Sequence, residues 1–126
     1  MTLWAVEVRN TGNLGIDVED EVLQNTVKMF VVGHERKVIF VFGIIPLSLV
    51  GRRGFIWVWL TDEGKVAPRS VWRALRKLWP KFIAQLGWNL FAFTKANAPV
   101  EQRFMEFFGM KKSRTVGEHV FYEEIG

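Results

Sequence analysis

The chain contains no cysteine. No disulfide framework can brace it and no thiolate can act in it, so catalysis by cysteine is excluded and an intracellular setting is the simpler expectation. Histidine is nearly as scarce: His34 and His119 each sit in an expected turn, without neighbouring ligands at metal spacing, and no metal site is expected. Neither a Gly-x-Ser-x-Gly elbow nor a Walker loop occurs. The longest strongly apolar run, Val38 to Val50, contains Pro46 and ends at Gly51-Arg52-Arg53. It falls short of the roughly 20 residues needed to span a bilayer and reads as strands. No basic segment leads into an apolar stretch at Met1-Thr2-Leu3-Trp4, so no export is expected and a cytoplasmic location follows. Repeats, low-complexity stretches and linkers are also missing, which leaves residues 1-126 as a single domain.

What the chain does have is aromatic weight. Six Trp and eleven Phe in 126 residues, with 49% of residues hydrophobic, predict a folded domain with an aromatic core. A formal net charge of +4 suits an anionic ligand but equally RNA, an acidic partner or solubility.

Trp4 to Arg9 alternates apolar and polar residues and predicts a strand ended by Asn10-Thr11-Gly12-Asn13. Between Asp17 and Lys28, Val18, Val22, Leu23 and Val27 recur at helical spacing behind an acidic start. Met29 to Val32 and Lys37 to Ile44 predict a hairpin around Gly33-His34-Glu35-Arg36. Phe55 to Leu60 carries no charge and reads as a central strand buried on both faces, closed by a turn at Thr61-Asp62-Glu63-Gly64. Pro68 opens a helix reaching about Leu86. Its apolar stripe is Val71, Trp72, Leu75, Leu78, Trp79, Phe82 and Leu86, and Pro80 is expected to kink or split it. Trp88 to Thr94 is a further strand. Pro99 to Phe108 is a short helix with Val100, Phe104, Phe107 and Phe108 on one side and Gly109 as its C-cap. Lys112 to Val116 and Val120 to Ile125 flank a last turn at Gly117-Glu118-His119.

The order β-α-β-β-β-α-β-α-β-β resembles the GNAT superfamily of acyl-CoA-dependent N-acyltransferases. One of its two usual N-terminal helices is missing or reduced to the loop 10–15. The most specific stretch is the strand Trp88 to Thr94, Asn97, the helix ending at Gly109-Met110, and the terminal hairpin. More narrowly, Phe42-Gly43-Ile44, then Trp57-Val58-Trp59-Leu60-Thr61-Asp62, then Pro68-Arg69 looks like GNAT-like proteins of tailed phages, some of them internal virion proteins. The resemblance implies an α/β (α+β) fold with a mixed central sheet of six to seven strands and about three helices.

In that superfamily the central strand offers backbone groups to the pantetheine arm, and the following turn and helix N-terminus take the pyrophosphate. Here the resemblance points to Trp59 and Leu60 on the strand, to Gly64, Lys65, Arg69 and Ser70 at the turn and helix start, and to Asn97 for cofactor binding, with acetyl-CoA as the expected cofactor. Asp62 and Glu63 are the carboxylates at the right end of the strand and are the candidate general bases for an amine acceptor. The same residues also fit a plain strand-to-helix turn.

Two departures stand out. The superfamily's Gln or Arg followed by Gly-x-Gly or Gly-x-Ala is replaced by Asp62-Glu63-Gly64-Lys65-Val66-Ala67-Pro68, and the family's tyrosine general acid falls at Met105, which has no proton to donate. The sole tyrosine, Tyr122, reads as a strand packing residue. The resemblance therefore leaves open an acyltransferase acting on acyl-CoA and an amine, and a catalytically degenerate GNAT-fold protein serving as a virion component or host-factor binder. The basic helix face of Arg69, Arg73, Arg76, Lys77 and Lys81, with Lys111, Lys112 and Arg114 further along the chain, reads as solvated, so nucleic acid is not the expected partner.

Overall fold

The computed structural model describes residues 2–9, 18, 20–48, 50–107 and 109–125. The elements are β1 (Leu3–Val8), α1 (Asp20–Asn25), β2 (Lys28–His34), β3 (Lys37–Ser48), β4 (Arg53–Leu60), α2 (Asp62–Lys65), α3 (Arg69–Leu86), β5 (Asn89–Lys95), α4 (Pro99–Phe107), β6 (Lys112–Val116) and β7 (His119–Ile125). The seven strands form one mixed sheet in the order β1-β2-β3-β4-β5-β7-β6. The pair β4/β5 is parallel, joined through α3, while β1/β2, β2/β3, β5/β7 and β6/β7 are antiparallel. The chain divides into two compact units, residues 1–45 with 57–75 and residues 46–56 with 76–126.

In the first unit β2 and β3 are covered on both faces. Phe30 pairs with Phe42 across the ladder and their rings stack at 5.2 Å, while Trp72 of α3 stacks on Phe40 at 6.2 Å. The alternate residues Met29, Val31 and Val41 form the opposite layer, against Trp4, Val8, Leu23 and Trp57. Strands sealed on both faces must be apolar at every position, which is why Ile39 to Phe42 run without a polar residue. Fully burying each such side chain stabilises the fold by about 1.5–3 kcal/mol.

In the second unit Leu90, Ala92 and Thr94 of β5 and Val120 and Tyr122 of β7 are buried, as are Trp79 and Ile83 of α3 and Phe104 and Met105 of α4. α4 packs on β5. It closes with Met110 N–H donating to the Met105 carbonyl and Gly109 N–H donating to that of Glu106.

Several expectations shift. α1 covers six residues, because Val27 N–H already donates to the Ile44 carbonyl at 2.9 Å and Lys28 opens β2. Asp17 and the loop 10–15 lie outside the described residues. The turn expected at Thr61 to Gly64 is a short helix. α3 runs unbroken through Pro80, which sits on the exposed side of the helix. Leu78 is 48% exposed, and the deep stripe is Val71, Leu75, Trp79 and Ile83. On α4 Val100 is 47% exposed and Met105 shares the buried side with Phe104; Phe108 lies outside the described residues. β4 is not sealed on both faces, since Trp57 to Leu60 are half-buried. No helix among the described residues is long and apolar enough to cross a membrane.

Candidate functional site

The strand-to-helix segment following β4 belongs wholly to the first unit, and one side chain organises it. Thr61 is the N-cap of α2, with extended backbone (φ −77°, ψ 165°). Its hydroxyl accepts the Gly64 N–H at 3.0 Å and lies 2.6 and 2.7 Å from the carbonyl oxygens of Val38 and Ile39, to one of which it donates. Its own N–H donates to the Ile39 carbonyl at 3.1 Å. Thr61 is thereby buried and ties α2 to β3. Sequence reasoning passed over this residue; the signal was a threonine directly before two acids, the composition of a helix N-terminus.

Asp62 and Glu63 form the first turn of α2 and are exposed. The dipole of that short helix favours them there. Gly64 is buried: its N–H is used by Thr61, and a Cβ on it would run into the Ile39 carbonyl and approach the Leu60 side chain. Its glycine character thus answers to packing against β3. Lys65 is exposed at the end of α2, its N–H donating to the Thr61 carbonyl at 3.0 Å.

α3 then begins without any acidic residue in its first turn. Arg69 and Ser70 are exposed there, and Arg73 follows one turn on. The first amides of a helix have no intrahelical acceptor, and here Val71 and Trp72 N–H both turn back to the Pro68 carbonyl, at 3.1 and 3.4 Å. A positive dipole end carrying cations instead of anions is electrostatically unfavourable by itself and is relieved by a bound anion. Arg69, Ser70 and Arg73 therefore leave the α3 start with exposed donors and no acid, whereas the Gly64 amide is already taken by Thr61.

Trp59 and Leu60 are half-buried at the end of β4. Trp57, two residues earlier, is held by its indole N–H donating to the Thr26 hydroxyl at 2.9 Å, and the Thr26 hydroxyl donates in turn to the Val22 carbonyl at 2.6 Å.

The second unit holds the remaining candidates. Asn97 is exposed in the turn before α4 and is not its cap. Gln102 N–H donates to the Ala98 carbonyl, and the Gln102 side chain donates to the carbonyls of Lys95 and Ala96, so a glutamine one turn inside the helix fastens this corner. Met105 is 4% exposed. Tyr122 is 2% exposed, opposite Ala92. Burial pushes its hydroxyl above the ordinary tyrosine range, opposed by the neighbouring Thr94 hydroxyl and the Lys112 charge and reinforced slightly by Glu106. Among the described residues no group of three or more His, Asp or Glu gathers at metal distance.

No protein-family model matches the sequence. No curated protein matches it either. Solved structures do. A point variant of the spermidine N-acetyltransferase SpeG from Vibrio cholerae superposes with a TM-score of 0.63 at 14% identity, over 98% of this chain and 92% of that one. The spermidine N-acetyltransferase from Vibrio cholerae in complex with CoA and spermine gives 0.55 at 10% identity, over 82% and 67%. A protein described as a probable acetyltransferase gives 0.54 at 16% identity, over 77% and 60%. With the mixed seven-stranded sheet and four helices, these likenesses establish that the chain has the GNAT fold of the N-acetyltransferases.

Proposed function

We propose that this chain binds an acyl-CoA and transfers the acyl group, most simply acetyl, to an amine. The observation that carries the reading is the acid-free, cationic start of α3, which follows the central strand and the short α2, in a fold whose solved neighbours include a CoA complex. In this reading acetyl-CoA brings the activated thioester. Lys65, the Arg69 and Ser70 amides and side chains, and Arg73 hold its diphosphate, and Trp59 and Leu60 offer strand backbone to the pantetheine arm. Asp62 or Glu63 takes the proton from the amine, and correct placement of the amine nitrogen against the thioester carbonyl supplies most of the rate. The acceptor class is a primary amine; spermine, bound by one neighbour, is one compound to try. A cytoplasmic site of action accompanies the reading.

A second reading draws on a specific observation: Met105 is buried where the superfamily carries its tyrosine acid, and the Gly64 amide is already bonded. It makes the chain a GNAT-fold protein without turnover, of the kind encoded by tailed phages, acting in a virion or on a host factor. Calorimetric titration with acetyl-CoA separates the two. The enzyme reading expects micromolar binding that the double variant Lys65→Ala, Arg69→Ala weakens at least about tenfold, the loss of one or more charge-assisted contacts. Absence of heat at millimolar ligand removes it.

A further inference from the structure

The buried face of the second unit's strands, Leu90, Ala92, Thr94, Val120 and Tyr122, has an opposite face of unusual content. Phe55 of β4 and Phe91 and Phe93 of β5 share it with His119 and Phe121 of β7. Phe55 meets Phe91 at 6.1 Å and Phe93 edge-on at 5.4 Å, while Phe93 lies 5.8 Å from Phe121 and 5.6 Å from His119. These rings are not sealed: Phe93 is 44% exposed and Phe55, Phe91, His119 and Phe121 are half-buried. Cations share the face. The Arg53 guanidinium lies over the Phe91 ring at 5.0 Å, exposed Lys95 pairs with His119 in the register, and exposed Arg114 of β6 pairs with Phe121. Glu123 is the carboxylate of the same strand parity. Lys112 is turned elsewhere, 3.3 Å from Glu106 of α4. The unit as a whole holds ten of the seventeen Lys and Arg but five of the thirteen Asp and Glu.

We propose that this face of β4, β5, β7 and β6 is a stacking platform for single-stranded nucleic acid. Aromatic rings standing on a sheet offer planes on which unpaired bases stack, and Arg53, Lys95 and Arg114 around them attract the phosphates between those bases. Duplex is disfavoured, because its bases are already stacked and cannot reach the rings. A second copy of the chain is disfavoured by charge, since a twofold contact would bring these cations against their equivalents. The surface is distinct from the basic side of α3, and the inference does not depend on acyl-CoA binding.

Fluorescence anisotropy with labelled oligo(dT) and oligo(U) of about 12 nucleotides, a length matched to such surfaces, tests it. Expected are binding by at least one of the two, a steep fall in affinity between about 50 and 200 mM salt, and at least about tenfold weaker binding by Phe93→Ala. Phe93→Leu, which retains apolar volume but not the ring, should behave like Phe93→Ala with an unchanged thermal melt. The double variant Lys95→Ala, Arg114→Ala should flatten the salt dependence. Failure to bind either oligomer, equal affinity of the Phe93 variants, preference for duplex, or a concentration-dependent dimer that Phe93→Ala abolishes overturns the proposal.

Discussion

The α-carbon of Gly64 lies against the carbonyl oxygen of Ile39, with no room for a β-carbon between them. This approach lets the Thr61 hydroxyl reach both α2 and β3, and it fixes where the chain turns from the central strand toward α3. Gly64→Ala must push α2 off β3. The expected loss is about 1–3 kcal/mol, the usual cost of overpacking a close contact. A thermal melt reads it, and an unchanged melting temperature contradicts the described approach.

Thr61 itself is the next test. Thr61→Val preserves the shape but removes a buried hydroxyl that accepts from Gly64 and donates to β3, leaving the Gly64 N–H without its acceptor. A loss of about 1–2 kcal/mol is expected in urea unfolding, near the value for a lost helix cap. Thr61→Ser should recover most of it. Equal losses in both variants would mean the methyl group, not the hydroxyl, holds the corner.

Much of this architecture was legible because strand period and helix period are distinct signals. Met29 to Val32 and Lys37 to Ile44 mark a hairpin, though not its coverage on both faces, and Pro68 marks the start of α3 within a residue. The rest was hidden for physical reasons. Thr61-Asp62-Glu63 has the composition of a helix N-terminus but fits a turn as well, and the deciding partner, β3, lies more than twenty residues away. On β5 both faces read as apolar, so alternation could not reveal that Phe91 and Phe93 stand on the open side while Leu90 and Ala92 are buried. At the candidate site the charged donors Lys65 and Arg69 were readable from the helix start, whereas the tie of Thr61 to β3 became visible only through its carbonyl partners.

Gly43 and Trp57 make a second close approach. A Cβ on Gly43 would come within 2.5 Å of the Trp57 indole, which cannot simply swing away because its N–H donates to the Thr26 hydroxyl. Gly43→Ala is expected to destabilise by about 1–3 kcal/mol. Combining it with Trp57→Phe should cost less than the sum of the two single changes, since the smaller ring relieves the clash. A double-mutant cycle by urea unfolding checks this, and strict additivity would place the two side chains apart.

Tyr122 gives the sharpest pH test, because it is the sole tyrosine and Tyr122→Phe isolates its contribution from that of the lysines. Its hydroxyl and that of Thr94 are buried neighbours, and among the described residues neither meets a partner at full hydrogen-bond geometry. Burial is the largest influence and raises the folded-state pKa above the ordinary 10.0. The unfolded chain then releases its proton first as pH rises. Stability from this group is complete below pH 10 and falls progressively above it, toward the folded pKa. Tyr122→Phe removes that fall and, because it deletes a buried hydroxyl without a strong partner, should leave stability at neutral pH unchanged or raise it by up to about 1 kcal/mol. Melting temperatures of the two proteins across the alkaline range should diverge, the wild type dropping faster. Parallel curves would mean that Tyr122 ionises as easily in the folded chain as in the unfolded one. A marked loss of stability in Tyr122→Phe at neutral pH would instead show that the hydroxyl has a strong partner.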